Sequence, residues 1–112
     1  MIQARDPGTI DRVFHALSDQ NRRAIIERLS RGPAAISEVA RPFPMSLAGV
    51  VQHVQVLEKA GLVRTEKTGR VRTCHIEPDG LSLVEDWVRQ RRNLWQSRFD
   101  RLGQMLDEDE AG

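Results

Sequence analysis

The hydrophobic pattern changes its period at Gly61, and this change constrains the fold more than any other feature of the sequence. Before it, three apolar residues recur at the spacing of one helical face: Val50, Val54 and Leu57. Ser46 supplies an N-cap, so a helix is predicted from there to about Ala60, where Gly61 ends it. After Gly61, residues 62–66 and 71–76 have the pattern of two short strands. A helix is therefore followed directly by a β-hairpin.

A basic turn joins the two predicted strands. Residues 67–70 form this turn, and Gly69 is free to take the positive φ that a tight hairpin needs. We call residues 62–76 the wing. Four basic side chains lie on the wing against one acid, Glu66: Arg64, Lys67, Arg70 and Arg72. A basic hairpin of this kind favours a polyanionic partner.

Two helices are predicted near the start of the chain. The first covers about residues 9–18 with Thr9 as its N-cap, and its apolar residues share one face: Ile10, Val13, Phe14 and Leu17. The second begins after an Asp19 N-cap, and Gly32 followed by Pro33 ends it. Its buried stripe is expected to contain Ala24, Ile25, Ile26 and Leu29.

A short third helix is predicted over residues 36–41, where Pro42 stops it because proline lacks the amide donor that a helix needs. Only a few residues then separate it from the Ser46 cap of the fourth helix. Two helices joined by so tight a connection, here over residues 36–60, are typical of a helix-turn-helix motif.

A long last helix is predicted from Pro78 to about residue 106, followed by an acidic, frayed tail at residues 107–112. Its apolar stripe is too long for a small domain to bury alone. We therefore expect the first and last helices (about 9–18 and 78–106) to form a dimer interface that contains Val13, Leu17, Val84, Val88, Leu94, Trp95 and Leu102. A last helix folded back over its own core is the alternative.

The predicted fold is mainly α-helical with a small hairpin, in the order α-α-α-α-β-β-α, as one winged helix-turn-helix domain over residues 1–112. The net charge is only +1, but it is distributed unevenly. Residues 1–76 hold 12 Lys/Arg and 7 Asp/Glu, whereas residues 77–112 hold 5 and 9. This asymmetry favours nucleic-acid binding by the first part, with two differently charged solvated faces as the alternative.

Several segments resemble the ArsR-type (ArsR/SmtB-like) family of winged helix-turn-helix transcriptional regulators, in its branch that does not sense metals. They are QHVQVLEKAGLV at residues 52–63 together with residues 16–19, 22–25, 36–40, 45–48 and 69–72. The resemblance covers about residues 10–105 and implies a homodimer with its fourth helix in the DNA major groove. A repressor of a palindromic operator is therefore expected. Gly49 and Val51 depart from the family pattern, which affects the expected operator and not the fold.

The candidate DNA contacts on the fourth helix lie off or beside its apolar stripe: Ser46, Gly49, Gln52, His53 and Gln55. Glutamine makes bidentate hydrogen bonds to adenine in the major groove, so Gln52 is the expected base reader, with Gln55 second. Ser46, at the helix start, is expected near a phosphate. His53 either contacts DNA or packs beside the stripe.

Arginines outside the fourth helix are further candidates. Arg70 and Arg72 on the wing are expected to contact phosphate or the minor groove, because an arginine fits a narrow, negative groove. Arg22 opens the second helix, where it either reaches a phosphate or forms a surface ion pair.

Cys74 is the one cysteine, so no intrachain disulfide forms, and a cytoplasmic protein is favoured. Cys74 and His75 are neighbours on a strand, so their side chains point to opposite faces and cannot chelate together. We expect no metal, cofactor, membrane span or enzymatic activity, since the required motifs are absent from the sequence. The alternatives to a simple DNA-binding regulator are a protein-interaction module and a regulator that responds through Cys74 or an unidentified small-molecule effector.

Overall fold

The computed structural model describes residues 7–111. The helices are α1 (Pro7–Leu17), α2 (Gln20–Leu29), α3 (Ile36–Ala40), α4 (Leu47–Lys59) and α5 (Pro78–Ala111). The strands are β1 (Ala34–Ala35), β2 (Val63–Thr68) and β3 (Val71–Ile76), with β1 between α2 and α3 and the hairpin between α4 and α5. The predicted fold, mainly α-helical with a hairpin before the last helix, is confirmed.

One strand was absent from the predicted order. β1 pairs antiparallel with β3, with Ala34 opposite Cys74 and Ala35 opposite Thr73, so the sheet has the order β1-β3-β2. A strand of two alanines has no measurable period of its own. It forms because β3 offers a free edge to pair with. The residues of β3 lie about forty positions later in the chain, so no local pattern around Ala34 predicts the strand.

The ends of α4 follow the predicted chemistry. At its start, the Ser46 hydroxyl accepts a hydrogen bond from the Gly49 amide at 3.1 Å. At its end, Gly61 has a φ of +73°, and the Leu62 amide donates to the Leu57 carbonyl at 2.9 Å. This is the Schellman arrangement, which favours glycine because an L side chain disfavours positive φ. The predicted cap and stop of α4 are confirmed.

The hairpin turn is tighter than predicted. Lys67 and Thr68 continue β2, and Thr68 pairs with Val71, which leaves a loop of two residues, Gly69 and Arg70. Gly69 has a φ of +62°, as predicted, and a glycine at the first of two loop positions is the signature of a type II′ turn. Arg70 therefore stands at the tip of the wing.

The hydrophobic core draws on α1, α2, α3, α4 and the sheet. The largest fully buried side chains are Ile25, Leu57, Leu62, Val13, Val39, Val50, Val63 and Cys74. The predicted stripe of α4 is buried as expected. Because the core lies on one side of α4, the other side of this helix is left to solvent.

The prediction that Val13 lies at a dimer interface is wrong, because Val13 lies in the core. None of its surface is exposed within the single chain, so it has none to give to a partner. Leu17 is partly buried against the same core. The exposed apolar side chain of α1 is Phe14, whose ring meets Trp87 of α5 edge to face at 5.7 Å. The predicted apolar face of α1 is thus divided between the core and α5.

Both terminal helices are longer than predicted. The described part of α1 begins at Pro7, so Thr9 lies inside the helix, where it is buried, and is not its N-cap. α5 begins at Pro78 as predicted but continues to Ala111 through the acidic run that was expected to fray. Residues 107–111 contain no glycine or proline, so nothing in them stops a helix. None of the helices within residues 7–111 has the length and apolar character needed to cross a membrane.

Asp19 joins α1 to α2 as the predicted N-cap. Its carboxylate accepts hydrogen bonds from the backbone amides of Asn21 at 2.8 Å and Arg22 at 3.1 Å. The pKa of Asp19 is held below its ordinary value chiefly by the hydrogen bond from the Arg22 amide, against some desolvation. The Asn21 amide and the positive charge of Arg22 act in the same direction.

The pKa of Asp19 makes the stability of the protein depend on pH. A carboxylate whose pKa is lowered by folding stabilises the native state above its ordinary pKa, and this contribution disappears as the pH falls through the lowered value. Asp19→Ala should lower the free energy of unfolding by about 1 kcal/mol at neutral pH, with a smaller deficit in acid.

Urea denaturation at a series of pH values measures this effect. Asp19→Asn is the matched control, because asparagine keeps a capping oxygen, and we expect it to stay within about 0.5 kcal/mol of wild type near neutral pH. An Asp19→Ala deficit that is equal at acidic and neutral pH would show that the charge of Asp19 contributes nothing.

Candidate nucleic-acid interface

A polar surface lies on the side of α4 that faces away from the core. Gln52 and Gln55 are exposed there, and neither has a hydrogen-bond partner within residues 7–111. Ala48 and Lys59 share this surface with them at positions i, i+4, i+7 and i+11, and both are exposed. Ala48 and Lys59 were not among the predicted DNA contacts, although helical spacing from Gln52 would have placed them on this surface. We call these four residues the outer face of α4.

The start of α4 lies beside this outer face. Ser46 is exposed, and its hydroxyl is the helix cap, so its oxygen is already engaged by the Gly49 amide. Gly49 is half-buried, and a Cβ there would lie 3.4 Å from the Ser46 hydroxyl and 3.7 Å from the Met45 sulfur. These are close to ordinary contacts, so the packing of this chain does not itself demand glycine at position 49.

Both roles predicted for Arg22, a surface ion pair and a phosphate contact, are wrong, because its side chain is directed into the protein. Only 9% of the residue is exposed. Its Nε donates to the carbonyl of Ala16 at 2.7 Å, and its Nη2 donates to the carbonyl of His15 at 3.0 Å. These carbonyls belong to the last turn of α1, where carbonyls lack the amide of a following helical turn; the His15 carbonyl also accepts from the amide of Ser18 at 3.1 Å. Arg22 therefore caps the C-terminus of α1.

His53 is the third partner of the same guanidinium. Its Nδ1 lies 3.2 Å from Nη1 of Arg22, and the residue is half-buried on the flank of α4. The structure thus shows the packing contact that was one of the two predicted roles of His53. One arginine connects the end of α1, the start of α2 and the middle of α4.

The two faces of the wing have different charges. Strand alternation and register place Lys67 and Arg72 on the face that also carries Cys74 and is directed towards the core and α4. Arg64 lies on the opposite face, where it forms an ion pair with Glu66. The basic wing predicted from the sequence is therefore basic mainly at its tip and on its α4 side.

A small hydrogen-bonded network ties the wing to α4. The Glu58 carboxylate accepts from the hydroxyl of Thr65 at 2.8 Å and from its amide at 3.3 Å. Arg72 in turn donates to the Thr65 hydroxyl at 3.3 Å. Arg72 thus has an internal partner but stays exposed, whereas Arg70 at the tip has no side-chain partner within residues 7–111. The wing and α4 consequently form one surface.

Cys74 lies beneath this network and is fully buried. Burial raises the pKa of its thiol, and the negative charge of Glu58 raises it further. A buried thiol of this kind is a poor nucleophile at neutral pH. His75 is on the other face of β3, where its Nε2 lies 3.7 Å from Glu66. No three metal-ligating side chains come together within residues 7–111.

An apolar surface covers much of α5. Four of the side chains predicted at a dimer interface are exposed, each by more than a third and Trp95 by 52%: Val88, Leu94, Trp95 and Leu102. Val84, which was predicted with them, packs partly against the core. Leu81, Phe99 and Leu106 extend the same stripe at helical spacing. The contact between Phe14 and Trp87 joins α1 to this helix, and Arg91 stacks on Trp87 at 4.4 Å.

The helix-turn-helix of α3 and α4, followed by the wing, defines a winged helix-turn-helix protein. A family model described as a helix-turn-helix domain matches residues 17–66. The HTH-type transcriptional regulator Rv2034 of Mycobacterium tuberculosis is 36% identical over 99 residues, which are 88% of this chain and 90% of that protein. These similarities show the class of a helix-turn-helix transcriptional regulator.

Solved structures place the chain within that class. The crystal structure of an ArsR family transcriptional regulator is 46% identical with a TM-score of 0.80, over 85% of this chain and 98% of that one. The homodimeric winged helix-turn-helix DNA-binding domain of Mb0332 from Mycobacterium bovis, solved by NMR, is 25% identical with a TM-score of 0.62, over 78% and 82%. The present chain belongs to the ArsR family of winged helix-turn-helix transcriptional regulators.

The buried position of Arg22 predicts a loss of stability when it is replaced. Arg22→Ala would remove the Arg22 donor from the carbonyl of buried Ala16, which costs about 1–3 kcal/mol for a buried acceptor, whereas the His15 carbonyl would keep its hydrogen bonds from Ser18. Arg23→Ala is the matched control, because Arg23 also donates to a carbonyl at the end of α1 but is exposed, so about 0.5 kcal/mol is expected.

Chemical denaturation of the two variants tests this assignment. We expect a clearly lower unfolding midpoint for Arg22→Ala than for Arg23→Ala. If Arg22→Ala were as stable as wild type and only bound DNA less well, the phosphate contact predicted from the sequence would be the correct role.

Proposed function

We propose that the protein is a cytoplasmic repressor that binds a palindromic DNA operator as a homodimer. The observation that carries this proposal is the unpartnered polar outer face of α4 beside the basic tip of the wing. Placed in a major groove, α4 would present Gln52 and Gln55 to the base edges, where glutamine pairs with adenine. Repression follows where the bound operator overlaps a promoter.

The other candidate residues would fix the position of α4 on the duplex. Ser46 and Gly49 lie at the helix start, where the backbone can approach a phosphate closely. Arg70 would enter the adjacent minor groove or contact its phosphates, with Lys67 and Arg72 behind it on the α4 side of the wing. Such contacts fix register and carry little sequence information. Base discrimination therefore falls to the outer face of α4.

The apolar stripe of α5 supports the homodimer. A contiguous stripe of large exposed side chains is unfavourable in water and marks an interaction surface. A second copy of the chain would cover it symmetrically, and the similar domain from Mycobacterium bovis is described as homodimeric. Two-fold symmetry would place two α4 helices in successive major grooves, with half-site centres about 10 base pairs apart or a multiple of this.

Two substitutions separate base reading from phosphate binding. Gln52→Ala should weaken binding to the preferred operator by about 1–3 kcal/mol and leave binding to random DNA almost unchanged. Arg70→Glu should weaken binding to both DNAs. It should also make the affinity depend less steeply on salt concentration, by the equivalent of about one phosphate contact or more. Gln90→Ala and Arg89→Glu, at exposed positions of α5, are the matched controls.

The operator is obtained by selecting bound sequences from a random library, and affinities are then measured at several salt concentrations. An enriched inverted repeat whose affinity falls with salt is the expected result. Equal losses on both DNAs for Gln52→Ala would remove it as a base reader. Weak, salt-insensitive binding without enrichment would favour a protein-interaction module instead.

A charge placed in the α5 stripe should separate the protomers. Trp95→Lys puts an ammonium group where the proposed dimer buries an aromatic ring, so a monomer is expected with at least a tenfold weaker affinity for the operator. Gln90→Lys adds the same charge on the polar side of the helix and should remain dimeric. Sedimentation at micromolar concentration distinguishes the two, and a wild-type monomer would contradict the proposal.

A further inference from the structure

We propose that Arg22 fixes the proton of His53 on Nε2, and that this N–H donates a hydrogen bond to a DNA phosphate. The inference rests on the proposed DNA binding and adds a positioning contact that the outer face of α4 does not include. Its starting point is the 3.2 Å contact between Nη1 of Arg22 and Nδ1 of His53.

The chemistry of the two groups decides the tautomer. A guanidinium group stays protonated in proteins and has donors but no acceptor. The Nδ1 atom can therefore take part in this contact only as an acceptor, with its lone pair directed at Arg22. A neutral imidazole carries its one proton on the other nitrogen, so Nε2 is a donor. The other hydrogen bonds of Arg22, to Ala16 and His15, prevent the guanidinium from turning away.

The N–H group at Nε2 of His53 has no acceptor in the described part of the chain. No atom of residues 7–111 accepts a hydrogen bond from Nε2 of His53, and the half-buried ring keeps part of its surface in solvent. His53 lies between exposed Gln52 and buried Val54, on the flank of α4 and not on its outer face. When a helix lies in the major groove, its outer face meets the bases and its flanks face the sugar–phosphate walls. A phosphate oxygen is thus the acceptor that this position fits.

The tautomer is tested first in the free protein by the ¹⁵N chemical shifts of the three histidine rings. At a pH where the rings are neutral, we expect His53 to show a protonated Nε2 and an unprotonated Nδ1. Exposed His15, without a hydrogen bond to its ring, should average over both tautomers and serves as an internal reference. A His53 ring protonated on Nδ1, or averaged like His15, would overturn the proposal.

The phosphate contact is tested with two variants, each of which keeps the hydrogen-bonding group of one of the two ring nitrogens. His53→Asn keeps an acceptor near Nδ1 and loses the far donor, so it should fold as stably as wild type and bind DNA about tenfold more weakly. His53→Gln keeps a donor near Nε2 and loses the acceptor, so it should be less stable but bind more tightly than His53→Asn. The losses should be equal on operator and random DNA, because phosphates carry no sequence.

The contacted phosphate is located with a set of operator duplexes, each of which has one phosphate replaced by an uncharged methylphosphonate. One neutralised phosphate should weaken wild-type binding and leave His53→Asn binding unchanged. If no position distinguishes the two proteins, or if His53→Asn binds as tightly as wild type, His53 only anchors α4 and the proposal is wrong. If wild-type protein binds no DNA, the proposed function itself fails together with the contact, whereas the tautomer measured in the free protein would stand.

Discussion

The guanidinium group of Arg22 holds three parts of the molecule in one place. It donates to the last carbonyls of α1 and to His53 of α4, and its own backbone amide is held by Asp19. The planar fork of arginine suits this role because it delivers several donors in fixed directions, which a lysine cannot do. α1 contacts α5 through Phe14 and Trp87, and α4 carries the polar outer face. Arg22 therefore helps to set the orientation of that face relative to α5, together with the core packing of α4.

A second set of contacts holds α4 from its other flank. Glu58 accepts two hydrogen bonds from Thr65, and Arg72 donates to the same threonine, so the wing is fixed against the helix. The helix is thus constrained on both sides while its outer face makes no side-chain hydrogen bonds within residues 7–111. A surface that is rigid before binding loses less conformational entropy when a partner binds. The crevice between the helix and the wing, about 220 Å³, is smaller than the usual pocket for a small-molecule ligand.

The elements with local signals could be predicted from the sequence, and those that depend on distant partners could not. The cap at Ser46, the stop at Gly61 and the turn at Gly69 depend on one or two residues, and all three are confirmed. β1 exists only because β3 lies beside it, and a helical pattern shows that α1 has an apolar face but not which part meets the core. A buried arginine that satisfies the carbonyls of the preceding helix leaves no pattern at all. The same residue type at a helix start is usually exposed, and for this reason the sequence predicts either a phosphate contact or a surface ion pair for Arg22.

Where the charges are paired matters more for the proposed function than their sum. Arg64 pairs with Glu66 and Arg89 with Asp86, so neither is free to neutralise a phosphate without breaking an ion pair. The cations without an ion pair that α4 and the wing carry are Lys59, Lys67, Arg70 and Arg72. Four cations would give these two elements of one protomer only a weak electrostatic attraction to DNA, because each neutralised phosphate contributes a limited release of counterions. A dimer doubles the set and fixes its spacing. The apolar stripe of α5, although it lies outside the DNA-facing surface, is thus what would make DNA binding strong enough to regulate.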